Sequence, residues 1–151
     1  MTAPPRNDEP GLSRRDELAV SGAAMSDVHW TAAGATGAVV AGADLLLHLT
    51  GGGLGLSSAL SAGTVAFCAV AGSSVLVRQR PGRALRWARS NPWRFAVLPG
   101  MATAIVVFLL SVLVGSSGML GGGFTALWHG AIAYGLTGAT GAVVSSRRKP
   151  G

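Results

Sequence analysis

Two long stretches of this chain are almost free of charge. Between Val28 and Val77 the only Asp, Glu, Lys or Arg is Asp44, and from Phe95 to Ser146 there is none. A water-soluble domain does not tolerate runs of that kind, whereas a helix crossing lipid needs about 20 predominantly apolar residues. Composition agrees, with 49% hydrophobic and only 12% charged residues. Glycine-rich turns divide each run in two and give expected spans at about 28–49, 56–77, 93–114 and 123–145. The first of these rises about 33 Å as a helix, enough to cross. The expected fold is an all-α membrane protein: four transmembrane helices, arranged as two hairpins joined by a basic cytoplasmic loop with a short interfacial helix.

The segment between the two runs carries Arg78, Arg80, Arg83, Arg86, Arg89 and Arg94 and no acid. Pro81 and Gly82 break the second span, and Arg83 to Ser90 reads as a short amphipathic helix. Its arginines at 83, 86 and 89 step along one side toward anionic headgroups, while Ala84, Leu85, Trp87 and Ala88 offer apolar contact. Asn91 before Pro92 is a helix-start signal, and Trp93 suits the interface. The turns at 50–55 and 115–122 contain no Lys or Arg, and the end carries Arg147, Arg148 and Lys149. Cytoplasmic flanks collect basic residues, so both termini and the central loop are expected in the cytoplasm. The formal charge of +6 raises a nucleic-acid reading, but no reader motif or interleaved aromatic platform accompanies it. The expected partners are membrane lipids, a second copy of the chain or a larger membrane complex, and no nucleic acid. Eleven arginines against one lysine, with 23 glycines, fit a GC-rich bacterial genome and a bacterial plasma membrane.

Residues 1–26 mix Pro4, Pro5 and Pro10 with charges of both signs. They are expected to form a disordered cytoplasmic tail in which Ser13 caps, at most, a short helical turn. Ser13-Arg14-Arg15 superficially resembles a twin-arginine export signal, but Asp16 and Glu17 stand where that signal carries no acids. Residues 27–146 then form the transmembrane domain, opened by Ser26 and Asp27 as caps, and 147–151 a basic cytoplasmic tail.

At 100° per residue, Gly34, Gly37, Ala38, Ala41, Asp44 and His48 share one side of the first span, opposite Val39, Val40, Leu46 and Leu47. Small residues let helix backbones approach closely in lipid, so the small side is the packing side. Ser61, Thr64, Cys68 and Gly72 make a comparable stripe on the second span, and Pro99-Gly100 marks a kink in the third. GATGAVV occurs at 34–40 and again at 138–144. Both copies fall on the cytoplasmic half, where Gly34, Gly37, Gly138 and Gly141 would bring the first and fourth spans together.

Asp44, His48, His129 and Tyr134 are the residues able to support chemistry inside the spans. Asp44 and His48 stand four apart on one helical face, and Asp44 and His129 lie at similar depth, so the three could meet. The functional reading is a proton relay or polar substrate site; the competing one is a polar clamp between the first and fourth helices, or a group wetted from the nearby outer surface. Tyr134, between Gly130 and Gly138, reads as a packing residue. Cys68, in the apolar setting TVAFCAVAG, reads as inert. No metal-ligand set, nucleophile motif or phosphate-binding loop is present in the sequence, so no metal, no cofactor and no enzymatic activity are expected. The four-span layout, the Asp after small residues and Arg94-Phe95 opening the third span resemble GtrA-like small membrane proteins, which implies movement of a lipid-linked sugar. The expected function is non-enzymatic assembly, as an accessory subunit acting through helix packing. The alternative is a small transporter, flippase or channel, GtrA-like or holin-like, using Asp44, His48 and His129.

Overall fold

The computed structural model describes residues 14–26, 28–51, 55–77, 83–114 and 118–147. Six helices account for them: α1 (Arg14–Met25), α2 (Trp30–Thr50), α3 (Leu56–Val77), α4 (Arg83–Ser90), α5 (Pro92–Leu113) and α6 (Met119–Ser146), with no strand among the described residues. Three of them, α2, α3 and α5, are long and apolar enough to cross a membrane. The expected caps at Ser13 and Asp27, the Pro81-Gly82 break, the centres of both glycine turns, the Arg83 side chain and the basic residues 78, 80, 148 and 149 lie outside the described residues.

α3 is the centre of the bundle. It packs on α2 along one side and on both α5 and α6 along the other, while α5 and α6 form the most extensive pair. Its serine and threonine stripe is absorbed locally, as Ser61 Oγ donates to the Ser57 carbonyl at 2.8 Å and Thr64 Oγ1 to that of Leu60 at 2.7 Å. Such back-bonding removes the need for an outside partner and lets polar residues sit in an apolar packing face. Cys68 is buried beside the Thr103 hydroxyl of α5. Gly72 gives way to Pro99 and Thr137, where an added Cβ would come within 3.1 Å and 2.8 Å of their side chains.

Both hairpins close through glycine. On α2 and α3, a Cβ added at Gly63 would lie 2.8 Å from the Ala41 Cβ and from the Gly37 carbonyl. On α5 and α6, one added at Gly130 would lie 2.9 Å from the Ala104 Cβ and the Gly100 carbonyl. In both pairs the helices meet at backbone distance, the geometry that lipid-embedded helices use in place of a hydrophobic driving force. Trp30 stacks on Phe67 across the first hairpin (centroids 6.0 Å apart), and Trp93 meets Tyr134 across the second (5.6 Å).

Helix α1 is longer than the single turn expected from sequence, a 12-residue element. Ser21, Ala24 and Val28 are buried, and α1 packs on α4, α3 and α5. Tertiary contact thus supplies what its composition lacks, since a helix this short is marginal alone. Ser26 closes α1 by donating to the Ala23 carbonyl at 2.8 Å instead of capping α2, which begins after His29 with no side-chain cap. Asn91 likewise makes no side-chain cap on α5; its Nδ2 turns back to the Trp87 carbonyl (3.3 Å) and to Ser90 Oγ (3.0 Å), tying the end of α4 to the start of α5. At the other end α6 starts at Met119, inside the expected turn, because Gly122 packs against Ser111 and Val112 of α5 and extends the pairing by a turn.

Candidate functional site

Asp44 and His48 lie on α2, four residues apart on one helix face. Asp44 stands about 9 Å from the end of the helix, at about 1.5 Å per residue. His48 Nδ1 is 2.9 Å from the Asp44 backbone carbonyl and 3.2 Å from Asp44 Oδ2. The pair is an ion pair by distance, yet its hydrogen bond runs to the carbonyl: Oδ2 is enclosed and accepts no hydrogen bond. With Nδ1–H donated to the carbonyl, Nε2 accepts when the ring is neutral and donates when it is protonated. Gly55, at the start of α3, lies directly against the His48 ring, where a Cβ would clash. That contact holds the ring between the last turn of α2 and the first of α3. The Asp44 side chain is 25% exposed and that of His48 is 41% exposed, so the pair sits at the margin of the hairpin and not in a sealed core.

His129 lies on α6, and among the described residues α2 has no contact with α6 or α5. The three residues expected to share a site are therefore divided. His129 repeats the geometry of His48, its Nδ1 2.8 Å from the Thr125 carbonyl four residues back. Histidine on a helix with a neighbouring carbonyl one turn away closes this bond without help from another element, which explains its recurrence at both positions. Tyr134 packs on Trp93 and above Gly100. No group of three His, Cys, Asp or Glu residues able to hold a metal occurs among the described residues.

The two GATGAVV copies are also apart. In the first, Gly37 packs on Gly63 and Phe67 of α3, while Gly34 faces open space and Ala38 is exposed. In the second, Gly138 lies under the Trp93 ring and Gly141 against Pro92 and Leu76. Sequence reading found the small residues but paired them wrongly in space. The signal that finds their partners is the hairpin itself: residues equidistant from a turn meet, which sets Ala41 against Gly63 and His48 against Gly55.

Of the three arginines expected at anionic headgroups, Arg86 is exposed and Arg89 half-buried. The apolar side of α4 is not offered to lipid, since Leu85 and Ala88 are buried against the protein together with Ala24, Val75, Leu76 and Phe95. A further concavity, about 480 Å³, runs between α2 and α5 over α3 and is lined by Gly34, Ala38 and Ala41, by Thr64 and Cys68, and by Ala102 and Val106. Comparison with protein-family models, with curated proteins and with solved structures gives no match, so the resemblance to GtrA-like proteins gains no support from them.

Proposed function

We propose that this chain is a four-span bacterial plasma-membrane protein, with both termini cytoplasmic, that acts without catalysis by assembling with other transmembrane helices. The groove between α2 and α5 carries this reading. Among the described residues α2 packs on α3 and on no other helix, and the small side of α2 expected to pack is only half used: Gly37 and Ala41 engage α3, whereas Gly34 and Ala38 remain exposed at the groove. In lipid, association depends on backbones coming close, and a furrow walled by glycine and alanine is shaped to admit a further helix. Leucines at Gly34 and Ala38 would fill the furrow while leaving the α2–α3 contact in place. Crosslinking in native membranes should then capture an oligomer or complex of the unaltered chain and only monomer of the Gly34→Leu, Ala38→Leu variant. A wild-type chain that crosslinks to nothing would overturn the reading.

Asp44 motivates a second reading, a small transporter. An enclosed carboxylate oxygen without a hydrogen bond, beside an imidazole with an accepting nitrogen, is a place where a proton can be taken up and passed on. Because α2 does not touch α6, this reading draws on Asp44 and His48, with His129 outside the pair. Asp44→Asn should abolish proton-coupled flux in reconstituted vesicles; unchanged flux of every solute tried would sink it.

A further inference from the structure

At the end of the bundle where α4 lies, a cavity of about 300 Å³ opens between the last turns of α3, α4 and α6. Two of its walls differ in kind. Arg86 and Arg89 line it from α4, and Leu76, Gly141 and Val144 from α3 and α6, with Ser90 and Ser145 at the rim between them. The serines are not its anion donors, since Ser90 Oγ donates to the Trp87 carbonyl at 2.9 Å and Ser145 Oγ to that of Ala142 at 2.8 Å. The cationic character therefore comes from the two guanidinium groups, three residues apart on one face of α4.

The helix that carries them is fixed. Leu85 and Ala88 are buried to 5% and 0% exposure, and Asn91 ties the end of α4 to α5. The arginines consequently do not float on a loosely adsorbed interfacial helix but project from a docked one, over an apolar floor formed by Leu76 and Val144. The volume lies at the lower end of the roughly 300–1,000 Å³ typical of small-ligand pockets. Guanidinium forks match phosphate oxygens in geometry as well as charge. We propose that this cavity is a stoichiometric binding site for a phosphate group, with Arg86 and Arg89 on the oxygens and Leu76 and Val144 against the first carbons of a phosphodiester-linked lipid.

This inference rests on membrane embedding, and its test separates the two. Carbonate extraction of membranes first establishes whether the chain is integral; release into the soluble fraction would refute the membrane reading and this site with it. The intact chain, purified in neutral detergent, is then offered equal amounts of phosphatidylglycerol and a diacylglycerol of the same acyl chains, which lacks the phosphate, and examined by native mass spectrometry. One phosphatidylglycerol per chain should be retained at least about tenfold over the diacylglycerol, charge-assisted bonds being the strong ones. Arg86→Gln with Arg89→Gln should erase that preference, whereas Arg147→Gln, an exposed arginine that does not line the cavity, should keep it. Val144→Trp leaves both arginines in place and should erase the preference by filling the cavity, which guards against misfolding of the arginine variant. Inorganic phosphate that protects the wild type but not the double variant, with no phosphatidylglycerol preference, would keep the phosphate site and assign it to a soluble source. Equal retention of both lipids without any phosphate effect, or a preference that survives both the double variant and Val144→Trp, would overturn the proposal and leave the arginines as caps for the helix-end carbonyls.

Discussion

Two buried threonines, Thr103 and Thr137, are both 0% exposed but differ in what their hydroxyls do. Thr103 Oγ1 donates to the Pro99 carbonyl at 2.8 Å, whereas Thr137 Oγ1 is enclosed without a hydrogen-bond partner. Replacing a bonded hydroxyl by a methyl forfeits the bond, and replacing an unbonded one removes a desolvated polar group. Thr103→Val should therefore destabilise the protein by about 1 kcal/mol and Thr137→Val should be neutral or stabilising, as measured by thermal unfolding in detergent. The same order for both threonines would contradict the assignment. Glycine gives a second contrast at this scale. Gly63→Ala places its Cβ on the Ala41 Cβ and the Gly37 carbonyl, neither of which is the end of a flexible chain, so the loss should be roughly 1–3 kcal/mol. Gly42→Ala meets nothing within 4 Å and should gain roughly 0.5–1 kcal/mol from helix propensity. Equal melting temperatures for the two variants would mean that α2 and α3 are not at backbone distance.

The elements were legible in sequence to differing degrees, and the reason is physical. Charge-free runs and turn residues are local signals; α3, α4 and α5 accordingly begin and end within about a residue of the expected bounds. What the sequence could not convey is which face meets which neighbour, because glycine and alanine stripes allow close approach on several sides. Hence α6 carries small residues toward α5 and α3 and not toward α2, and the expected union of Asp44, His48 and His129 does not form. α1 is the sharper case: its charges pointed to a tail, whereas in the fold its Ala24 is buried in one cluster with Leu85 and Ala88 of α4. Ala88→Glu would bury a carboxylate in that contact and should release α1. Undocking worth about 1.4 kcal/mol raises the open population about tenfold, so tryptic cleavage after Arg14 and Arg15 should accelerate by at least that factor. Cleavage at the wild-type rate would show that α1 is held by something other than this layer.

For the molecule as a whole, the parity of the number of helices that cross lipid decides where the ends lie. α6 is not among the helices apolar enough by hydropathy to count as a span, yet no Asp, Glu, Lys or Arg occurs between Met119 and Ser146. Its packing argues for a span. Gly122 lies against Ser111 and Val112 at one end of α5, and Gly141 lies against Pro92 at the other, so α6 accompanies α5 over its whole length. Under the proposed four-span arrangement α6 shares the bilayer with the helix it accompanies, and the exposed Phe124, Leu127 and Leu136 are suited to acyl chains. Four crossings place Ser90 and Ser146 on one side and Gly51 and Gly118 on the other; three crossings, with α6 outside, would leave Gly118 and Ser146 together. Single cysteines at these four positions, in a Cys68→Ala background, distinguish the cases with an impermeant maleimide. In intact cells Gly51→Cys and Gly118→Cys should label, while Ser90→Cys and Ser146→Cys should label only after permeabilisation, as expected when basic flanks remain in the cytoplasm. Labelling of Ser90→Cys from outside would invert the orientation, and co-labelling of Gly118→Cys and Ser146→Cys from one side would reduce the count to three.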